Sequence, residues 1–255
     1  VINQIEILNQ FDSISLAEMD SVKLMDRTDT KYVFTESLLP EFINALTPHY
    51  RILSVNGNRI SKYESLYFDT PNFELFQKHH QGKLNRFKIR FRKYVESDLN
   101  FFEVKFKNNK GRTIKDRVKQ KYIGDTINDK AELLLNEKTP ILKNNLEPKI
   151  WVNYSRITLV NKHSPERVTL DLGLHFKNQE QIKHIENIVI AEVKQDKSLA
   201  SPFIRLMRQY HIREGSISKY CFGIISIFDK IKHNNFKPKL LQLKKIANVT
   251  ITSNG

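Results

Sequence analysis

The sequence predicts an α+β fold whose antiparallel strands close into a β-barrel, with helices packed outside it and at both ends of the chain. Three observations predict it. Alternating segments at 84–95, 100–107 and 112–119 follow one another with only the polar turns "ESD" and "NNKG" between them, and such closeness implies antiparallel neighbours. Segments of helical character interrupt and follow the strands. Strand after strand also divides into one charged face and one apolar face.

Taken in order, Ile2 to Val22 carries Ile5, Leu8 and Phe11 at helical spacing and reads as a helical segment packing an apolar stripe. "KLMDRTDTKYVF" alternates and reads as the first strand. "ESLLPEFINALTP" is a short helix ended by Pro48, and "YESLYFDT" is a strand stopped by Thr70-Pro71. "NFELFQKHHQG" reads as a helix capped by Gly82; its His79-His80 pair reads as a solvated helix end rather than a metal site. After the three clustered strands, "DTINDKAELLLNEKTP" is a helix. Further strands lie in "PKIWVNYSRITLV", "ERVTLDLGLHF" and "ENIVIAEVKQ". "SPFIRLMRQY", "SKYCFGIISIFDKI" and "PKLLQLKKIAN" close the chain as helices, and Trp151 reads as core or rim.

Period-2 alternation assigns the faces. One face carries Lys23, Arg27, Asp29 and Lys31 in the first strand, and Arg86, Lys88, Arg90, Arg92 and Tyr94 in the next basic one. Phe101, Glu103, Lys105 and Lys107 share a face, as do Thr113, Lys115, Arg117 and Lys119. Tyr154 goes with Arg156, Arg167 with Thr169 and Asp171, and Ile190 with Glu192 and Lys194. For any single strand, a solvated charged face accounts for the pattern. Its repetition favours a barrel whose apolar faces pack outward against helices and whose cations line a polar tunnel.

The bulk properties agree. The 255 residues carry a formal net charge of +14, which favours an anionic partner such as nucleic acid, a membrane surface or a phosphate-rich molecule. A single cysteine, Cys221, excludes a disulfide framework and any cysteine-based metal site. "CFGIISIF" is too short to span a bilayer and no signal peptide is visible, so the expected location is cytoplasmic. Gly and Pro number eight each, with no flexible linker, which favours one domain. Lys and Arg converging on one axis repel unless an anion lies among them, and Arg forks match phosphate oxygens. A carboxylate among phosphates, Glu192 foremost, suits a divalent metal that bridges their oxygens.

The pieces "RTDTKYVF", "YFDT", "KIRFR", "EVKFK" followed by Lys115, "YSRITLV", "RVTLDLGL", "AEVK" and "SKY" occur in this order over roughly residues 25 to 222. Together they resemble the catalytic domain of the vacuolar transporter chaperone (VTC) polyphosphate polymerases, within the triphosphate tunnel metalloenzyme group. The resemblance implies an eight-stranded closed antiparallel tunnel, with 1–22 as an N-terminal helical segment, 23–222 as the tunnel core and 223–255 as a C-terminal helical extension. It implies transfer of the γ-phosphate of ATP to a growing polyphosphate chain, with Mn²⁺ or Mg²⁺ as cofactor. Carried over by motif, Lys31, Arg90, Arg92, Lys105, Lys115, Arg156, Arg167 and Lys219 would contact phosphates. Lys88 would join the basic ring, Glu192 would bind the metal, and Tyr154 and Ser218 would give supporting contacts.

Related triphosphatases and cyclases usually begin with a Glu-x-Glu-x-Lys strand; here "RTDTK" stands in the first tunnel strand, which favours the polymerase branch. The inositol-phosphate-sensing domain and membrane helices of the eukaryotic polymerases have no counterpart in this sequence, so neither that regulation nor chain translocation is expected. Two alternatives stay open: a non-catalytic domain that binds polyphosphate or RNA, and a triphosphate hydrolase using the same tunnel. The partners expected are ATP and polyphosphate, with no specific nucleic acid. The basic "KPKLLQLKK" offers a peripheral contact to an acidic membrane, against the reading of a solvated helix packed on the barrel.

Overall fold

The computed structural model describes residues 6–21, 27–196, 200–215 and 217–247. Its strands are β1 (Ser13–Ile14), β2 (Arg27–Thr35), β3 (Tyr50–Leu53), β4 (Ser61–Asp69), β5 (Arg86–Tyr94), β6 (Leu99–Lys107), β7 (Thr113–Gln120), β8 (Glu147–Asn161), β9 (Glu166–Lys177), β10 (Ile182–His184) and β11 (Ile188–Asp196). They form one sheet whose main path runs β2-β11-β9-β8-β4-β5-β6-β7, with antiparallel pairs throughout. The main path thus has eight strands.

The sheet is not closed by hydrogen bonds, which corrects the closed barrel expected from the sequence. It is curled, because Asp29 and Lys31 of β2 and Thr113 of β7 line the same cavity from opposite ends of the path. Each end is protected in another way. On β2, Tyr32 bridges Glu214, and Gly215 N–H donates to the Lys31 carbonyl at 2.8 Å. On β7, Lys115, Arg117 and Lys119 are exposed, and like charges along an edge discourage pairing with another strand.

The helices are α1 (Leu16–Ser21), α2 (Leu39–Leu46), α3 (Glu74–His80), α4 (Asp129–Lys138), α5 (Pro202–Gln209), α6 (Lys219–Ile227) and α7 (Lys237–Ala247). Local chemistry fixes their starts. Asn128, Ser201 and Ser218 each accept a backbone N–H from the first turn of α4, α5 and α6. The N-terminal segment is not one helix. Residues 6–8 are helical, β1 then pairs in parallel with β3, and Ser15 and Glu18 form a reciprocal cap at the start of α1. Leu8 and Phe11 are buried as the stripe predicts; Ile5 and Lys23 lie outside the described residues. The short strands β3 and β10 were not anticipated.

The apolar faces go where alternation puts them. Val189, Ala191, Val193, Val168 and Leu170 pack beneath α2 and α5 with Phe42, Phe203 and Met207. Ile89, Phe91, Phe102 and Val104 pack on Ala131 and Leu135 of α4, with Trp151 at the margin of this cluster. A third cluster joins α6 to α3 and the sheet through Tyr220, Ile224, Phe76, Ile150 and Phe176. At Gly223 a Cβ would come within 2.7 Å of the Phe176 ring and 2.8 Å of Ile150, so α6 is seated at glycine distance. Leu243 of α7 is buried in the same cluster, with Leu240 and Ile246 packed beside it. The helix therefore uses its apolar side against the fold. Among the described residues, no helix is long and apolar enough to cross a membrane.

Candidate functional site

Cross-strand register brings the charged faces together. Lys31 stands opposite Glu192, Glu192 opposite Thr169, and Lys194 opposite both Asp29 and Arg167. Arg156 stands opposite Asp171 and Ser61, and Tyr154 opposite Tyr63. On the other half, Arg90 stands between Tyr67 and Glu103, Lys88 faces Lys105, and Lys105 faces Lys115. Eight strands therefore deliver one face to one interior.

Two carboxylates hold the deep cations. Glu103, 1% exposed, takes Arg90 Nε at 2.7 Å and Nη2 at 2.6 Å, and Lys115 Nζ lies 2.7 Å from its other oxygen. Asp171, 2% exposed, is forked by Arg156 and also accepts from Lys219 Nζ. Burial alone would push both acids up; for Glu103 the cations Arg90, Arg92 and Lys115, and for Asp171 Arg156 and Lys219, hold them well below the usual carboxylate range. Aromatic groups complete the shell. Arg90 Nη1 donates to the Tyr67 hydroxyl at 2.6 Å, and Arg92 donates to Ser65 Oγ and to the Tyr154 hydroxyl, both at 3.1 Å. Arg156 lies over the Tyr63 and Tyr154 rings, and Lys219 over Tyr154. These guanidinium groups are fixed in place before any ligand arrives.

Further along the same face, Lys31, Lys88 and Lys105 line a cavity of about 1530 Å³. Lys31, Lys88, Lys105, Ser218 and His79 lie on its polar side, and Ile217, Phe222, Leu240 and Leu243 on its apolar side. Lys88 Nζ donates to Ser218 Oγ at 3.0 Å, and Lys31 lies 3.8 Å from Glu192. Among the described residues, no ion pair joins Lys88 or Lys105 to a carboxylate. Enclosure and the charges of Lys88, Arg90 and Lys31 push Lys105 down to about 7. Lys115 is pushed down to about 8, by enclosure first, with Glu103 opposing. Both side chains keep contact with solvent, which screens the charges around them in part. His79 is not the solvated helix end expected. It turns toward the cavity, where burial and the charges of Lys88, Arg86, Lys105 and Lys107 push its imidazole down to about 2. His80 is also packed, stacking on Phe76 and accepting the Asn235 N–H at 3.1 Å.

A preformed metal cage is absent: among the described residues, no three His, Cys, Asp or Glu side chains gather. Asp29 and Glu214 are the carboxylates that line the cavity itself, and Glu192 stands behind Lys31 in the register, with Lys194 Nζ at 2.7 Å. Burial would raise it, yet Lys194 and Lys31 bring it down to about 2, so it is ionised at any working pH. One hard oxygen donor of this kind fits a divalent ion that takes its remaining oxygens from phosphate and water.

The structure therefore clusters Lys31, Lys88, Arg90, Arg92, Lys105, Lys115, Tyr154, Arg156, Glu192, Ser218 and Lys219. Arg167 stands further along the sheet, opposite Lys194 and two residues from Thr169. Reading the sequence missed the roles of Glu103, Asp171, Tyr63, Tyr67 and Lys194. It also missed Asp69 of "YFDT", whose carboxylate accepts N–H groups from Thr70, Leu75 and Phe76 and the Tyr220 hydroxyl. That contact ties β4 and α3 to α6, which carries Lys219.

A curled antiparallel sheet with a cation-lined face is the coarse architecture that the sequence resemblance implied. The chain belongs to the VTC domain family, which matches residues 26–228. No curated protein matches it in sequence. Among solved structures it is similar to the PH1819 protein of Pyrococcus horikoshii OT3, at 12% identity and TM-score 0.47, over 79% of this chain and 99% of that one. A putative adenylate cyclase from Vibrio parahaemolyticus gives 13% identity and TM-score 0.46, over 78% and 99% of the two chains. The putative adenylyl cyclase HpAC1 from Hippeastrum, which has a dominant triphosphatase activity, gives 13% and 0.48 over 82% and 100%.

Proposed function

We propose that this protein is an ATP-dependent polyphosphate polymerase. The observation that carries the reading is the contrast between two sets of cations on one face. Arg90, Arg156 and Lys219 are anchored by buried carboxylates, while Lys88 and Lys105 face a cavity without such partners. Anchored cations set geometry, and the others await an anion.

In the proposed reaction a terminal oxygen of the phosphate chain attacks the γ-phosphorus of ATP. A new P–O bond forms, the bond from the γ-phosphorus to the bridging oxygen breaks, and ADP leaves with that oxygen and its electron pair. The attacking oxygen is already ionised, so no strong base is required, and catalysis rests on alignment and charge neutralisation. Arg90, Arg92 and Arg156 would orient donor and acceptor phosphates through their forks. Lys31, Lys88, Lys105 and Lys115 would neutralise the charge that moves toward the bridging oxygen. Tyr154 and Ser218 would steady Arg92 and Lys88, and Arg167 would touch phosphates further along the path. Glu192 would hold Mn²⁺ or Mg²⁺, which supplies further charge neutralisation across phosphate oxygens.

The test is incubation with ATP and Mn²⁺, with products resolved on a gel stained for polyphosphate and with ADP and free phosphate measured. Polymer with ADP supports the polymerase. Free phosphate without polymer makes the protein a triphosphate hydrolase, and tight polyphosphate or RNA binding with neither product makes it a binding domain.

A further inference from the structure

The cation ladder does not stop at Lys88 and Lys105. One step further along the strands, Arg86 stands opposite Lys107, and Lys107 opposite Thr113. The turn joining β6 to β7 adds Lys110 and Arg112, and all of these line the same cavity. Like charges facing each other across strands are unfavourable unless an anion lies between them. Among the described residues, no ion pair joins Lys107, Lys110 or Arg112 to a carboxylate. Arg86 donates through Nη1 to the Lys83 carbonyl at 2.8 Å, but its Nε is buried with no hydrogen-bond acceptor.

The turn itself is built to hold its shape. Asn108 Oδ1 accepts N–H groups from Lys110 at 3.0 Å and Arg112 at 2.9 Å. Asn108 N–H donates to the Arg112 carbonyl at 3.0 Å, and Gly111 supplies the positive φ of 74° that the turn needs. A rigid platform for the two side chains lowers the ordering cost of binding.

We propose that Arg86 and the β6–β7 hairpin form an outer site for the phosphate chain, gripping phosphates beyond those at the reacting centre. The inference rests on the polyphosphate reading above and extends it to a second place on the polymer. Its ligand is a phosphate chain rather than RNA. The neighbouring aromatics Phe87 and Phe106 stack on each other, 4.6 Å between centroids. They occupy the opposite face of the strands, out of reach of a base lying along the cations.

The test compares the full chain with a Lys107→Gln/Lys110→Gln/Arg112→Gln variant, titrated with tripolyphosphate and with long-chain polyphosphate at two salt concentrations. Because Lys110 and Arg112 are exposed, the fold should persist, and a charge-retaining Lys107→Arg/Lys110→Arg variant checks that any loss follows charge. Removing three phosphate contacts should weaken long-chain binding about tenfold or more and flatten its salt dependence, while tripolyphosphate binding changes by less than about twofold. The arginine variant should bind the long chain like the wild type. An unchanged long-chain affinity, with polymer synthesis intact, overturns the outer site alone. Equal losses for both ligands overturn it as a general charge effect, and failure of the arginine variant to restore binding overturns it as well. Single-stranded RNA that binds the wild type as tightly and loses as much in the variant overturns the assignment to a phosphate chain. A wild type that binds neither polyphosphate overturns both this site and the polyphosphate reading.

Discussion

The guanidinium of Arg156 forks onto the carboxylate of Asp171, with Nε 2.6 Å from Oδ1 and Nη2 2.9 Å from Oδ2, while Lys219 holds the same Oδ2 at 2.5 Å. One buried acid thus fixes cations from a strand and from the first residue of α6. Asp171→Asn should cost about 3–5 kcal/mol in urea unfolding, because it leaves two enclosed cations without their counter-charge. Tripolyphosphate should raise the melting temperature of this variant more than that of the wild type. An equal shift would mean that ligand phosphates do not reach Arg156 and Lys219.

The depressed lysines make a pH prediction. Lys105 sits near 7 and Lys115 near 8, against 10.5 for the free side chain. From about pH 7 to 10 the unfolded chain holds protons that the folded chain has released, so ligand-free stability contributed by these groups should rise with pH in that window. Phosphate affinity should fall over the same range, because binding then requires proton uptake. Lys105→Gln should flatten both trends. Melting curves and titrations between pH 6.5 and 9.5, which brackets both values to about one unit, check them; identical profiles in wild type and variant would reject the assignment.

Glu192→Gln separates metal from phosphate. Glu192 lies 2.7 Å from Lys194 and 3.8 Å from Lys31. Neutralising it should leave tripolyphosphate binding without metal intact or tighter, since two lysines lose a competing anion. The stimulation of turnover by Mn²⁺ should fall by about tenfold or more. Loss of metal-free binding instead would give Glu192 a structural role.

Gly223→Ala tests how α6 is seated. The added methyl would meet the Phe176 ring and Ile150 below 3 Å, and overpacking of this kind costs about 1–3 kcal/mol. The shift of α6 should also move Ser218 and Lys219, so tripolyphosphate affinity should drop with stability. Measured denaturant midpoints and dissociation constants should change together.

Much of the site was legible because a strand reports its faces through a period of two. Lys88, Arg90 and Arg92 alternate with Ile89 and Phe91, and the structure puts Ile89 and Phe91 under α4. The partner carboxylates were harder to read. Glu103 and Asp171 sat on the right faces, but their roles depend on standing opposite Arg90 and Arg156, and register between strands is set by packing rather than by either strand alone. His79 shows the same limit, since a helix-end histidine is solvated or enclosed according to what lies beyond its own helix. The N-terminal segment misled through its stripe: Leu8 and Phe11 are core residues, yet Ser15 and Glu18 restart the helix after a two-residue strand. The missing closure between β2 and β7 left no mark, because an unpaired basic edge and a paired one have the same alternation.

If the ligand is a polymer, that missing closure bears on how it enters. In a barrel laced by hydrogen bonds all round, a long ligand can be admitted only by feeding in an end. Here β2 carries residues 214–215 along its outer margin, β7 carries the exposed Lys115 and Lys119, and no rung of the ladder joins the two strands. On the polyphosphate reading, a gap of this kind would allow sideways loading. A phosphate chain with both ends blocked would then still bind, although it would offer no terminal oxygen to the proposed transfer.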